Sequence, residues 1–232
     1  MVYNWMNIIQ QYLLPPTCIL CGNDGWRDLD LCADCYKQLQ QNNYCCVQCA
    51  QPFSGTQADL LCGRCLHKQP AFDKVYAPYL YVDGIRHLVT TFKFNKQYKN
   101  ARILGNLLAE HLINTAELPD CIISVPLHNK RYYQRGFNQA IEIAKIVAKR
   151  VDRPLNLKAC VRQRDTPHQT GQTAKQRQKN LKNAFKMCQK LDAKHVAIID
   201  DVMTTGSTIH ELAALLKNHG VDRVDAWVCA RA

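Results

Sequence analysis

The sequence predicts an α/β protein: a mostly parallel sheet flanked by helices, preceded by a small module built from two metal-binding knuckle pairs. Three observations predict it. Beyond residue 70, apolar runs of strand length alternate with stretches whose apolar residues recur every three or four positions, the pattern of strands connected by helices. Before residue 70, eight cysteines stand in four C-x-x-C pairs. Near the carboxyl end, residues 195–208 (HVAIIDDVMTTGST) carry an apolar strand into two carboxylates and a glycine-centred hydroxyl loop. The expected organisation is a metal module over residues 1–69, with a short N-terminal helix, and an α/β domain over 70–232.

The opening MVYNWMNIIQQYLLPP has no Lys or Arg ahead of its apolar residues and no small-residue cleavage site. It therefore reads as a short docking helix and not as a secretory leader. No run of about 18 apolar residues occurs, so no helical membrane span is expected. The expected compartment is the cytoplasm.

Nine of the 13 cysteines lie within residues 18–65. Cys18/Cys21, Cys32/Cys35, Cys46/Cys49 and Cys62/Cys65 form the knuckles, and two knuckles close a tetrahedral Zn²⁺ site with no open position. Such a site is structural. A segment this short buries little apolar surface, and zinc–thiolate binding, worth about 10–16 kcal/mol in model peptides, supplies folding free energy. Sequential pairing gives two zinc ribbons in tandem; a cross-braced pairing also satisfies the spacing, and Cys45 competes with Cys46 as a ligand.

The elements of the α/β part follow in order. Residues 74–85 (KVYAPYLYVDGI) read as a strand or a hairpin closed by Asp83-Gly84. Residues 85–94 and 101–114 carry helical periodicity, 121–126 (CIISVP) is a strand, and 137–151 is a strongly periodic helix. A short strand near 155–161 precedes a polar, basic stretch. The strand at 195–200, a helix at 209–220 and a last strand at 224–230 complete the sheet.

The chemistry concentrates at residues 195–208. A glycine-bearing loop of hydroxyl residues (Thr204, Thr205, Gly206, Ser207, Thr208) at a helix N-terminus is a ready anion site. Asp200 and Asp201 beside it suit sugar hydroxyls or a divalent cation. A phosphate site and a ribose site side by side predict a phosphoribosyl ligand. Successive strand residues face opposite ways, so the two carboxylates are expected where the strand ends. A second loop, 127–140, holds Lys130, Arg131 and Arg135 ahead of Gly136, and arginine offers bidentate geometry to pyrophosphate oxygens.

The net charge is +11, and residues 145–190 hold 13 Lys or Arg against Asp152 and Asp165. That excess fits a polyanionic partner. Cations alternate with aromatics at Phe92, Lys93, Phe94, Lys96, Tyr98 and Lys99, and again at Lys130, Arg131, Tyr132 and Tyr133. Stacking rings beside a basic groove are what sequence-tolerant single-strand binding requires. For Phe92 and Phe94 the core of an amphipathic segment is the competing expectation.

Taken together, the cysteine module, YLYVDGIRHLVTTFKF, VPLHNKRYYQRGFNQA, VRQRDTPHQT, RQKNLKNAF and IIDDVMTTGST resemble the ComF/GntX family along essentially the whole chain. The resemblance implies a type I phosphoribosyltransferase-like domain behind a double zinc-ribbon-like module. It implies binding of phosphoribosyl pyrophosphate (PRPP) with Mg²⁺ by Asp200, Asp201, Thr204, Thr205, Gly206, Ser207, Thr208, Lys93, Arg131 and Arg135. Asp200, Asp201 and Arg135 would be the catalytic set if transfer to a nitrogen acceptor occurs. Other family elements fall on Asn138, Gln139, Thr166, Gln169 and Asn180.

The family's association with natural transformation implies a role in DNA uptake, with other uptake or recombination proteins as partners. Single-stranded DNA would meet Lys93, Lys96, Lys99, Lys130, Arg162, Arg164 and Arg177. An active phosphoribosyltransferase, or a GntX-like role in gluconate use, are the alternatives. The family usually has Leu where Gln172 stands, in the stretch expected to close over substrate. His128 and His168 are candidate bases.

Overall fold

The structure is a computed structural model that describes residues 15–27, 29–55, 60–95, 97–165, 181 and 183–232. The expected N-terminal helix, Lys96, Thr166, His168, Gln169, Gln172, Arg177 and Asn180 lie outside the described residues, as does the side chain of Phe94.

The elements run α1 (Ala33–Lys37), α2 (Gly63–His67), β1 (Lys74–Tyr76), β2 (Tyr79–Leu80), α3 (Asp83–Asn95), α4 (Lys99–Thr115), β3 (Cys121–Ser124) and α5 (Asn129–Arg135). They continue through α6 (Gln139–Val151), β4 (Cys160–Arg162), β5 (Phe185–Met187), β6 (His195–Met203), α7 (Ser207–Asn218) and β7 (Arg223–Arg231). The main sheet is parallel throughout: β3 pairs β6, β6 pairs β7, and β1 and β2 lie one after the other along the far edge of β7. Val196, Ala197, Ile198 and Ile199 have no exposed surface, as expected of a central strand covered on both faces.

Alternation along the central strands sorts the core into two. Ala197, Ile199, Trp227 and Cys229 face α3, α4 and α6. Val196, Ile198, Ala226 and Val228 face α7 and the β4–β5 hairpin. Helix α6 shows how local sequence sets this packing. Asn138 caps it by accepting from Ala140 N at 3.0 Å, and Ile143, Ala144, Val147, Ala148 and Val151 form its buried stripe. Gly105 on α4 permits close approach, since a Cβ there would stand 2.8 Å from Ile146 Cβ.

Two expectations need correction. Residues 74–85 do not form a hairpin. The two short strands both run parallel to β7, and Asp83-Gly84 opens helix α3. Asp83 takes the left-handed conformation (φ 41°), and a Cβ on Gly84 would meet Leu20 and Leu39 at 3.1 Å. The pair brings the helix start against the cysteine module. The strand near 155–161 exists as β4, but it pairs antiparallel with β5, a strand inside the stretch read only as polar and basic.

The cysteine module is welded to the rest. Cys18, Leu31, Cys32 and Leu39 belong to the first core with Tyr79, Ile85 and Trp227. Cys46, Cys49, Ala50 and Cys65 belong to the second with Phe72, Val75 and Met203. Each knuckle quartet thus joins a different face of the sheet.

Candidate functional site

Asp200 and Asp201 lie on β6, though not at its end: the strand runs two residues further, to Met203. Both carboxylates fold back on the chain. Asp201 N donates to Asp200 Oδ1 at 2.9 Å, and Val202 N donates to Asp201 Oδ1 at 2.7 Å. Asp201 is 6% exposed, and its Oδ2 lies 2.6 Å from Lys93 Nζ. Burial pulls the Lys93 ammonium toward neutrality, but Asp201 and Asp200 outweigh that and leave its pKa raised. Asp200 sits deep in the cleft with part of its surface still reachable. Burial first, and the Asp201 charge second, push its carboxyl up to about 7.

The loop that follows has the anticipated form. Gly206 is left-handed (φ 78°), and a Cβ there would be 2.5 Å from Met203 Cε. It is the N-cap of α7 and has no side chain to cap it with; Thr205 Oγ1 accepts from Ser207 N at a long 3.4 Å. The Thr205 and Ser207 hydroxyls are paired at 2.9 Å; Thr204 is exposed and Thr208 half-buried. An α7 N-terminus with a glycine N-cap, ringed by hydroxyls, presents donors and the positive end of the helix dipole to an anion.

Cations close the other side. The RGFNQ string at 135–139 builds a corner between α5 and α6. Gly136 ends α5 in the left-handed conformation (φ 83°). Phe137 packs into the core between Phe92 and Tyr98, with ring centroids 5.2 and 4.9 Å away. Asn138 Nδ2 donates to Val125 O at 3.0 Å, and Gln139 Oε1 accepts from Arg135 Nη1 at 2.8 Å. Arg135 is thereby held in the cleft, where burial lowers its pKa and the Asp201 charge opposes that. Arg162 on β4 is affected first by burial, then by Arg131, with Asp200 and Asp165 favouring its charge. Arg135 and Arg162 therefore converge on the acidic pair, with Arg131 beside them and its Nε 3.8 Å from Asp165 Oδ1.

The remaining candidates are peripheral. Lys99 and Arg164 are exposed, and Lys130 Nζ lies 3.8 Å from Asp165 Oδ2. Lys93 serves the cleft and not the outer surface, and Phe92 is core, with no exposed area. His128 Nδ1 accepts from Lys130 N at 3.3 Å. That nitrogen carries no proton, so its 4.0 Å approach to Asp165 is not an ion pair, and the ring acts as the cap of α5.

One residue escaped sequence reasoning. Arg231, 1% exposed, donates to Cys49 O at 3.2 Å, Met203 O at 3.0 Å and Gln51 Oε1 at 2.7 Å. It ties the second cysteine quartet to the strand end that carries the 204–208 loop. A lone arginine after an apolar strand carries no periodic or motif signal.

The cysteines group sequentially. Cys18, Cys21, Cys32 and Cys35 form one quartet and Cys46, Cys49, Cys62 and Cys65 the other, with all sulfurs of a quartet within 4.8 Å of one another. Cys21 and Cys32 sulfurs, and those of Cys49 and Cys62, are 3.6 Å apart. A tetrahedron with Zn–S of about 2.3 Å has edges near 3.8 Å, so the quartets fit zinc. The two repeat each other: the first knuckle of each ends in a left-handed residue, Gly22 (φ 83°) or Ala50 (φ 52°). The second knuckle of each leads into a short helix capped by Cys32 or Cys62. Cys45 stands outside the quartet that holds Cys46.

Comparison with known proteins agrees with this architecture. Residues 9–66 match the double zinc ribbon domain, and residues 138–232 match the phosphoribosyl transferase domain. DNA utilization protein YhgH of Shigella flexneri is 34% identical over 229 residues, spanning 94% of this chain and 98% of the relative. Competence protein F of Haemophilus influenzae is 35% identical over 227 residues, 93% of this chain and 96% of the relative. Competence protein ComFC of Streptococcus pneumoniae is 24% identical over 229 residues, 92% and 91% of the two chains. Among the described residues no helix is long and apolar enough to cross a membrane.

Proposed function

Because the chain belongs to the family of competence protein F and DNA utilization protein YhgH, we propose that it works in the cytoplasm on DNA taken up during natural transformation, binding PRPP in the Asp200–Asp201 cleft and single-stranded DNA on the basic surface beside it. One observation carries the ligand class. An acidic pair, half-buried Asp200 and buried Asp201, braced by Lys93 at 2.6 Å, adjoins the α7 N-terminus, whose N-cap is a glycine. Carboxylates accept from ribose hydroxyls, and the loop donates to a 5′-phosphate.

Arg131, Arg135 and Lys93 then face the pyrophosphate end. Mg²⁺, a hard cation that takes oxygen ligands and keeps several waters, suits this cleft as a companion of PRPP. Its charge would relieve the mutual repulsion that raises Asp200. The chain's own residues bind and orient; any transfer to a nitrogen acceptor would rest on positioning and electrostatics.

Support for DNA comes from α5. Tyr133 is 83% exposed and Tyr132 46%, next to Lys130 and Arg131. Tyr98, also exposed, has its ring held against Phe137. Rings of this kind stack on bases of any identity.

Calorimetry with PRPP and Mg²⁺ tests the first half. The wild type binds, and Asp200→Ala/Asp201→Ala loses at least tenfold in affinity; equal binding by the two proteins removes the cleft assignment. For the second half, oligonucleotide affinity is measured in 50 and 200 mM salt. Phosphate contacts require a steep fall, and a flat response rules out the basic surface.

A further inference from the structure

A cavity of about 480 Å³ lies between the second cysteine quartet and the phosphate loop, within the size range of small-molecule sites. It is not the PRPP cleft. Asp200, Asp201, Lys93 and Arg135 are all absent from its walls, and it shares with the cleft only Thr205, Gly206 and Ser207. The loop is therefore a partition with a different chamber on each side.

The walls have two characters. Half-buried Pro70 supplies the apolar wall, and the edges of Phe72 and Met203, each 3% exposed, form the floor beneath it. Arg64 and Lys68 stand at the exposed edge, Arg64 Nη2 donating to Gln51 Oε1 at 2.9 Å, and among the described residues no carboxylate lines the cavity. His210 adds a donor: its Nδ1 accepts from Ala71 N at 3.0 Å, which leaves the proton of the neutral ring on Nε2. A bare anion would have no use for the apolar face. A purely apolar ligand would have no use for the cations. A flat heterocycle carrying a phosphate uses both, its sugar lying beside the mutually paired Thr205 and Ser207 hydroxyls.

We propose that this cavity binds a nucleoside monophosphate, its base against Phe72 and Met203 and its phosphate toward Arg64 and Lys68, back to back with the PRPP cleft. The site stands on its own lining and does not depend on PRPP occupying the other chamber.

The test is calorimetry on the zinc-loaded full chain with AMP, GMP, CMP and UMP. The corresponding nucleosides and inorganic phosphate serve as half-ligands. At least one nucleotide binds with Kd below about 1 mM, a typical ceiling for a formed small-molecule site, and about tenfold tighter than either half. Gly63 lines the cavity, and a Cβ there meets nothing within 4 Å, so Gly63→Trp fills the chamber from its wall. Arg64→Glu/Lys68→Glu reverses its charge at two exposed positions and keeps the test alive if the tryptophan disturbs folding.

Each variant weakens nucleotide binding at least tenfold with unchanged zinc content, while Asp200→Asn/Asp201→Asn leaves it intact. Three results would overturn the proposal: no nucleotide bound by the wild type, binding that survives both cavity variants, or binding lost in the Asp variant. The last places the nucleotide in the cleft instead. PRPP is titrated in parallel, so failure of PRPP to bind is seen separately from failure here.

Discussion

Lys93 Nζ lies 2.6 Å from Asp201 Oδ2, which joins the last turn of α3 to the middle strand of the sheet at the centre of the cleft. The aspartate is 6% exposed, and the lysine is its only ion-pair partner among the described residues. Breaking such a pair costs more than the pair itself contributes, because the remaining charge stays buried.

Lys93→Met is therefore expected to lower stability by about 2–4 kcal/mol, read from urea unfolding. Lys93→Met/Asp201→Asn recovers part of the loss, because no uncompensated charge remains. A double mutant as unstable as the sum of the singles would show that the two side chains are not coupled.

Asp200 predicts a pH dependence. Its folded carboxyl is raised to about 7 from 3.8, so the folded state holds a proton that the unfolded chain has released. Stability of the ligand-free protein then falls as pH rises toward 7 and levels off above it. Between about pH 5.5 and 7 this is worth up to about 2 kcal/mol. Asp200→Asn should flatten the slope in that window, which stays clear of acid release of zinc. Thermal melts of both proteins at several pH values decide it, and parallel slopes would contradict the shift.

Metal content separates the ligands from the bystander. The wild type should hold about two zinc per chain, one per closed quartet. Cys46→Ser loses one of them; Cys45→Ser loses none. Retention of two by Cys46→Ser, with loss in Cys45→Ser, would reverse the assignment.

Gly105→Ala tests the helix contact at a distance from any ligand. The added Cβ meets Ile146 Cβ at 2.8 Å, and overpacking of this kind costs about 1–3 kcal/mol. Alanine has the higher helix propensity, so a stabilised variant would mean that the contact yields. PRPP binding by the folded variant should not change.

What the sequence made legible follows from physics that acts locally. The residues at 195–208 are readable because strand, turn and helix N-terminus each leave a local mark, and the knuckles because zinc fixes their spacing. The interior periodicity of α3, α4 and α6 is equally local. Asp83-Gly84 misleads for a tertiary reason: the same dipeptide that closes hairpins here lets a helix start approach Leu20 and Leu39. Strand β5 is hidden because it is only three residues long, with exposed Lys186 between Phe185 and Met187. The pairing of Asp201 needs a lysine 108 positions away, and nothing in either neighbourhood announces it.

The Arg231 contacts also constrain the order of assembly. Its hydrogen bond to Cys49 spans 182 positions of sequence, and β7, which carries it, is the strand that β1, β2 and β6 all lean on. During synthesis the cysteine module leaves the ribosome long before β7 does. Metal captured before β7 emerges would meet the module without the surface that later covers it. Cys18, Cys46 and Cys65, buried in the finished protein, are open to oxidation until the last strand arrives. Zinc bound at that stage would close the exposed interval by holding the thiols as ligands.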